Sequence, residues 1–212
     1  SLAAELLLTQ DPGRAAALAE ELCALNRERQ NIESEIIQEC IQRLERRPQS
    51  GAILLADQHW HQGVVGVVAS RLTEKYACPV FMVCLDQGMG KGSCRSWGGI
   101  NLFDLLSSCA PLLENFGGHA LAAGFTVREE NIPALAMALR QAVAQTCRGE
   151  ELPSVLEIDL AVDPQLLNVG AVQSLDLLEP CGTGNPRPVL LLQGAQICSL
   201  SQVGRGRHLK LR

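Results

Sequence analysis

A short segment in the middle of the chain carries side chains that could hold a phosphate group. It reads Gly92-Ser93-Cys94-Arg95-Ser96. If these residues lie in a strand, alternation places Ser93 and Arg95 on the same face. A guanidinium can donate two parallel charge-assisted hydrogen bonds to a phosphate, and a neighbouring hydroxyl can donate one more. The pattern alone leaves a second interpretation open, an exposed edge strand with an ordinary surface arginine.

A second segment, Gly117-Gly118-His119-Ala120, is followed by Ala122-Ala123-Gly124. Two glycines before a single histidine predict a tight turn that displays an imidazole and leaves steric room around it. That ring can donate to a phosphate or sugar oxygen, or stack on a base. A structural histidine with satisfied hydrogen bonds is the alternative interpretation of the same residues.

A third segment, His59-Trp60-His61-Gln62-Gly63, precedes a predicted helix. Two histidines separated by one residue could bind a metal, but no third ligand follows at helical spacing. We therefore predict that His61 caps the helix rather than binding a metal.

A long helix predicted over residues 14–47 carries one charged residue on its apolar stripe. Pro48 ends the helix. Arg29 occupies a position where the spacing of the stripe predicts an apolar residue. A guanidinium there needs an anionic partner, which could be Glu33 one turn later or a phosphate of a ligand. The apolar residues of the stripe are Leu18, Leu22, Leu25, Ile32 and Ile36.

These segments need a scaffold, and the pattern of the chain predicts an α/β domain. Between residues 52 and 147, buried strands alternate with helices, which is typical of a sheet covered by helices. Strands are predicted at 52–56, 79–85, 93–97 and 123–127, helices at 63–76, 102–115 and 132–147, and a glycine-rich turn at 88–92. A linker at 149–153 is followed by a structured turn at 179–188 and by a small unit of short strands.

Composition limits the classes of protein to which the chain could belong. The chain has 212 residues, of which 47% are hydrophobic and 19% are charged. These values predict a folded protein rather than a disordered one. No apolar run approaches the roughly 20 residues that cross a bilayer, and no secretory signal is visible. Nine cysteines without a C-x-x-C pair predict reduced thiols and a cytoplasmic protein.

Charge and missing motifs limit the chemistry further. The net charge is −5, but a local basic stretch near the end holds Arg205, Arg207, Lys210 and Arg212. We find no Asp-His-His, Asp-x-Asp or His-x-Asp motif of the kind that binds catalytic metal ions. No nucleophile elbow or nucleotide-binding loop is present either. We therefore predict no catalytic residue and no bound metal in this chain.

Taken in order, the motifs resemble those of the RecJ family. The pattern from His61 to Leu72 resembles the family's small-residue helix, and the Ser93 and His119 segments resemble the two signature elements of the DHH-associated domain. Three further segments also resemble the family, namely Leu25-Asn26-x-x-Arg29-Gln30, Leu178 to Pro188, and Arg207-His-Leu-Lys-Leu211.

The resemblance implies a 5′-to-3′ exonuclease acting on single-stranded DNA in recombination and repair. Mn²⁺ or Mg²⁺ would be held by an amino-terminal DHH domain of a longer parent protein, and this piece alone would be inactive. The implied organisation is a connector helix at 1–48, a DHH-associated domain with a mixed sheet at 49–150, and a partial OB-like β domain at 151–212. A single-strand-binding protein or a helicase would be a partner of the parent.

The resemblance also implies roles for individual residues. Substrate would be bound by Ser93, Arg95, Ser96, Gly117, Gly118, His119 and Arg29. Further DNA contacts would come from Arg205, Arg207 and Lys210. Two alternatives remain at this point: another DHH-superfamily phosphoesterase acting on short RNA or cyclic dinucleotides, and a non-catalytic RNA-binding module like that of alanyl-tRNA synthetases.

Overall fold

A computed structural model describes residues 1–49, 51–147, 156–182, 184–204 and 208–212. The chain divides into two compact units, Ser1–Ser154 and Val155–Arg212. None of the described helices combines the length and the apolar composition that crossing a membrane requires.

The first unit begins with two helices, α1 (Leu2–Leu8) and α2 (Pro12–Arg46). The carboxylate of Asp11 accepts from the Gly13 backbone N–H at 2.9 Å, and Pro12 occupies the first turn, so the start of α2 is capped. The predicted long helix is confirmed, whereas α1 was not predicted. Of the predicted stripe, Leu18 and Ile36 are buried, but Leu25 is exposed.

A five-stranded mixed sheet with the order β1-β2-β3-β5-β4 forms the centre of the first unit. The parallel pair β1–β2 is connected by helix α3 (Gln62–Tyr76), and the other pairs are antiparallel. The predicted α/β class with a mixed sheet covered by helices is therefore confirmed. The strands are β1 (Ile53–Asp57), β2 (Val80–Asp86), β3 (Met89–Arg95), β4 (Leu113–Gly118) and β5 (Ala122–Arg128).

The sheet has an apolar core on each face. On one face, helices α4 (Leu102–Ser108) and α5 (Ile132–Thr146) cover Phe81, Cys94 and Phe125. On the other face, α2 and α3 cover β1 and β2, and α3 also contacts β3. The described contacts of α4 with β4 and β5 lie on the first face. The second face of β5 and β4 is the surface on which the candidate site lies.

Two boundaries in this unit were predicted wrongly, and glycine and proline explain both. The segment 88–92 is not simply a turn, because Gly90 and Gly92 lie within β3. A Cβ on Gly90 would be 2.5 Å from a Val83 methyl, and one on Gly92 would be 2.2 Å from the Phe125 ring. The glycines therefore make room for core side chains.

The predicted helix at 102–115 was also wrong at its end. Helix α4 ends at Ser108, and a short 3₁₀ helix at Ala110–Leu112 contains Pro111. Proline lacks the N–H that would continue the helix. The chain then enters β4, so that Gly117 and Gly118 lie at the end of a strand. The predicted tight turn that displays His119 is present, but it follows these glycines and ends before β5 begins at Ala122.

The second unit contains short elements only. Strands β6 (Leu160–Ala161) and β7 (Leu190–Leu191) form one parallel pair, and β8 (Leu200–Val203) and β9 (His208–Leu211) form one antiparallel pair. Helix α6 (Val169–Ser174) lies between β6 and β7 in the sequence. The described part of this unit contains no closed barrel, in keeping with a partial OB-like domain.

A structured turn was predicted at residues 179–188, and its described residues confirm it. The Asn185 side chain donates to the carbonyls of Leu178 and Pro180 at 2.9 and 3.0 Å. The predicted linker at 149–153 lies outside the described residues.

Candidate nucleic-acid-binding site

Ser93 and Arg95 lie side by side on the face of β3 that is turned towards α3. Gly66 of α3 is immediately above them, since a Cβ added there would be 3.1 Å from both Arg95 Nη2 and Ser93 Oγ. Arg95 Nη1 donates to Ser93 Oγ at 3.3 Å and to the Cys94 carbonyl at 2.8 Å. The helix glycine and these two hydrogen bonds hold the guanidinium in one place.

Arg95 carries a charge for which the described part of the chain offers no acidic partner. Its side chain is partly buried. Removing a charge from water without a counter-charge costs free energy. A ligand anion at Arg95 would supply the missing counter-charge, and Ser93 Oγ would lie beside it.

The register of three strands places the second predicted segment close to the first. In one row across the sheet, Ser93 is opposite Gly124 of β5, and Gly124 is opposite Gly117 of β4. In the next row Arg95 is opposite Ala122, whose carbonyl accepts from the His119 backbone N–H at 2.9 Å. Since neighbouring strands lie about 4.8 Å apart, β3 and β4 are separated by roughly 10 Å.

A further row was missed by the sequence reasoning and consists of Lys91, Thr126 and Asn115. Lys91 is opposite Thr126, and Thr126 is opposite Asn115. Alternation along β3 could have identified Lys91, because it lies two residues before Ser93. Asn115 could not have been found, because its segment was predicted as helix.

The rows together form a shallow trough, by which we mean the surface of β3, β5 and β4 on this face. Polar side chains of β3 line one side, and the small residues Gly124 and Ala122 form the floor. A depression with a volume of about 300 Å³ lies at the Lys91 end, where Gln62 at the start of α3 also lines it. The trough is therefore open to a ligand at this end.

The two glycines of β4 have different roles. A Cβ added to Gly117 would meet no described atom within 4 Å, so its lack of a side chain leaves the trough open. Gly118 has a φ of +140°, and a Cβ there would be 2.5 Å from Ala123 Cα. Only glycine fits at position 118, and its role is to let β4 approach β5.

Two other predicted residues are engaged in contacts within the protein. The Ser96 hydroxyl donates to the Ile100 carbonyl and shapes the loop after β3. Arg29 donates to Glu33 at 2.7 Å and to Asn26 at 3.1 Å, both on its own helix. This arrangement agrees with the structural interpretation of Arg29, and a phosphate contact there stays a prediction.

His61 caps α3, as predicted, because its Nδ1 accepts from the Gly63 backbone N–H at 3.1 Å. The preceding loop is fixed to α2 by Arg43, which forms ion pairs with Glu39 and Asp57 and lies 5.2 Å from the centroid of the Trp60 ring. These contacts fix the start of α3 and thereby position Gly66.

The carboxylate of Asp57 is the best-bonded acid of this region. Burial alone would raise the pKa of Asp57. Hydrogen bonds from the His59 backbone N–H and from the side chains of Arg43 and His59 outweigh burial, and they hold the pKa below its ordinary value.

In the second unit, Lys210 lies exposed on β9 opposite Ser201, and His208 is opposite Val203. Since side chains two residues apart along a strand share a face, Lys210 and His208 lie on the same side of this strand pair. Arg205 and Arg207 lie outside the described residues, so their predicted DNA contacts stay predictions.

The described residues contain no group of three or more His, Cys, Asp or Glu side chains that could hold a metal ion. The side chains present therefore do not fit a metal centre, and we assign no metal-dependent step to them.

Comparison with known proteins agrees with the two units. Residues 49–145 match the DHHA1 domain, and residues 158–212 match the RecJ OB domain. The chain is 35% identical to the single-stranded-DNA-specific exonuclease RecJ of Bacillus subtilis and 39% identical to that of Thermus thermophilus, over 99% of its length in both cases. It spans only 27% and 30% of the length of these relatives.

Solved structures give the same result. The crystal structures of Thermus thermophilus RecJ in complex with Mg²⁺ and with Mn²⁺ match the whole chain, with TM-scores of 0.79 and 0.81 and 38% identity. The match covers 33% and 31% of those chains. The chain therefore belongs to the RecJ family and corresponds to the region that carries its DHHA1 and OB domains.

Proposed function

We propose that this chain is the substrate-binding part of a RecJ-like 5′-to-3′ exonuclease that acts on single-stranded DNA in recombination and repair. It holds phosphate groups of the substrate, while a metal-dependent domain of the same protein hydrolyses the phosphodiester bond. The observation that carries the proposal is the guanidinium of Arg95, which is partly buried, fixed beside Ser93 and without an acidic partner among the described residues.

The relatives support the choice of substrate and reaction. The curated relatives are named single-stranded-DNA-specific exonucleases, and the match extends over both units of this chain. The hydrolytic step would use Mg²⁺ or Mn²⁺ bound elsewhere in the protein, as those ions are present in the solved RecJ structures. The RecJ OB domain supports a single strand rather than a cyclic dinucleotide as substrate, since OB folds bind extended strands.

Substrate phosphate is assigned to Ser93 and Arg95, with His119 on the opposite side of the trough. Gly117 leaves space for the substrate, and Gly118 lets β4, the strand that carries Gly117, approach β5. Arg29, Ser96, Arg205, Arg207 and Lys210 keep their predicted substrate contacts as expectations. We further propose that the parent protein is cytoplasmic and that its partner is a single-strand-binding protein or a helicase.

A competition experiment tests the proposed substrate. The chain is mixed with a fluorescent 5′-phosphorylated single-stranded DNA, and unlabelled competitors displace it. We expect the 5′-phosphorylated strand to compete better than the same strand with a 5′-hydroxyl, and better than tRNA. Preference for tRNA would contradict the proposal and would favour an RNA-binding module instead.

A further inference from the structure

The row Lys91–Thr126–Asn115 is not used by the phosphate contact proposed above, although it lies on the same face of the same three strands. Lys91 lies two residues from Ser93 along β3, which places their Cα atoms about 6.6 Å apart. Consecutive phosphates of an extended nucleic-acid strand have a comparable spacing. A strand held at Ser93 and Arg95 and running along β3 therefore brings its neighbouring phosphate to Lys91.

The polar groups of this row are available to a ligand. Lys91 and Asn115 are exposed and Thr126 is partly exposed. Among the described residues, the side chains of these three have no hydrogen-bond or ion-pair partner. Their donors and acceptors are an ammonium, a hydroxyl and a carboxamide, which suit a phosphate, a sugar and a base edge respectively.

Small residues leave the surface between these groups open. Gly124 and Gly117 lie next to each other in the adjacent row, and a Cβ on Gly117 would meet no described atom within 4 Å. The depression of about 300 Å³ at this end is bordered by Gln62, Lys91, Asn115 and Thr126. A planar base can lie over the glycine backbone, with its edge towards the Asn115 carboxamide.

We propose that Lys91, Thr126 and Asn115 form a second nucleotide subsite, adjacent to the phosphate held by Ser93 and Arg95. Lys91 binds the neighbouring phosphate, Asn115 binds the edge of the base, and Thr126 lies between them under the sugar. The inference rests on the proposed function, because the first phosphate sets the position of the strand. The bound strand then runs along β3 from Arg95 towards Lys91, and the chain contacts a nucleotide beyond the first.

Binding measurements with single substitutions test the subsite. Fluorescence anisotropy gives the affinity of the chain for a short 5′-phosphorylated oligothymidylate labelled at its 3′ end, over a range of salt concentrations. A second oligonucleotide carries an abasic unit at its second position. The variants are Lys91→Gln and Asn115→Ala, with Lys75→Gln as a control that removes the same charge from an exposed position in the last turn of α3.

The expected results separate the phosphate contact from the base contact. For Lys91→Gln, the slope of log affinity against log salt falls by about 0.7, the value of one single-strand phosphate contact. Lys75→Gln keeps the wild-type slope. Asn115→Ala weakens binding of the complete oligonucleotide by roughly threefold to tenfold, the equivalent of one hydrogen bond, and does not change binding of the abasic one.

An unchanged slope for Lys91→Gln, or an equal loss of both oligonucleotides for Asn115→Ala, would overturn the subsite. Thermal melts of each variant confirm that the fold is retained, as expected for exposed side chains. An Arg95→Ala variant distinguishes a failure of the subsite from a failure of the proposed function. If Arg95→Ala weakens binding while the subsite variants do not, only the subsite fails. If Arg95→Ala also binds like the wild type, the proposed function fails as well.

Discussion

Replacing Gly66 by alanine should separate the stability of the fold from the binding of phosphate. Gly66 lies in the interior of α3, where alanine is favoured over glycine by about 1 kcal/mol. The added Cβ would lie 3.1 Å from both Arg95 Nη2 and Ser93 Oγ, closer than an ordinary van der Waals contact. Those two side-chain ends must therefore move by a few tenths of an ångström.

The expected magnitudes follow from this geometry. The helix propensity gain offsets the cost of the close contact, so we expect the free energy of unfolding to stay within about 1 kcal/mol of the wild-type value. The displaced pair should lose roughly one charge-assisted hydrogen bond to a phosphate, or about 1.5–3 kcal/mol. That loss corresponds to roughly 10- to 150-fold weaker binding of a 5′-phosphorylated strand.

Two measurements on the same protein samples test this prediction. Denaturant unfolding gives the stability, and fluorescence anisotropy gives the affinity for 5′-phosphorylated single-stranded DNA. Gly13→Ala is the matched control, because Gly13 is also helical and its added Cβ would be 3.4 Å from Asp11 Oδ1, an ordinary contact. It should leave binding unchanged.

Wild-type affinity in Gly66→Ala would contradict this prediction, because it would show that phosphate binding does not depend on the positions of Ser93 and Arg95. A large loss of stability would contradict it as well, since it would show that the two side-chain ends cannot shift at little cost. Equal losses of binding in Gly66→Ala and Gly13→Ala would indicate a general effect of the substitution rather than a local one.

Three further predictions concern the supporting structure. Gly117→Ala should keep the wild-type stability and weaken binding, whereas Gly118→Ala should lower the melting temperature strongly because its Cβ would overlap Ala123; equal melting temperatures would contradict the different roles. Asp57→Asn should cost about 1.5–3 kcal/mol of stability at neutral pH. The pKa of Asp57 is lowered in the folded state, so the ionised carboxylate contributes its full stability at pH values above the ordinary pKa of an aspartate, and this stability is lost as the pH falls through the lowered pKa. The difference in free energy of unfolding between Asp57→Asn and wild type should therefore shrink in acid. A difference that does not vary with pH would contradict this. Burial raises the pKa of the Cys40 and Cys94 thiols to about 12. A thiol reagent at mildly alkaline pH should therefore label the exposed Cys23 and Cys198 first. Rapid labelling of Cys94 would show that β3 is not packed as described.

The sequence was sufficient to predict the parts of the fold that depend on a clear period. The long helix α2 and the parallel pair around α3 follow from helical spacing and from uninterrupted apolar runs. The pair Ser93–Arg95 was predicted to share a face because alternation in a strand requires it. His61 was predicted as a cap because it precedes an apolar helix.

The remaining features depend on contacts between distant residues. Gly90 and Gly92 look like turn residues locally, but they lie in β3 because the Val83 and Phe125 side chains occupy the space above them. The row formed by Lys91, Thr126 and Asn115 exists only through the pairing of three strands. No local pattern indicates that Arg29 is paired with Glu33 rather than with a ligand, since both interpretations use the same spacing.

A double-mutant cycle between Arg95 and the 5′-phosphate of the DNA tests directly whether Arg95 holds that phosphate. Affinities are measured for the wild-type chain and for Arg95→Ala, each with a strand that carries a 5′-phosphate or a 5′-hydroxyl. Arg128→Ala serves as control, because Arg128 lies at the end of β5 and is paired with Glu114 at 2.7 Å. We expect a coupling energy of about 1.5–3 kcal/mol between Arg95 and the phosphate, and none for Arg128. If Arg95→Ala weakens both strands equally, or neither, then Arg95 does not hold the terminal phosphate and the proposed role of the trough is wrong.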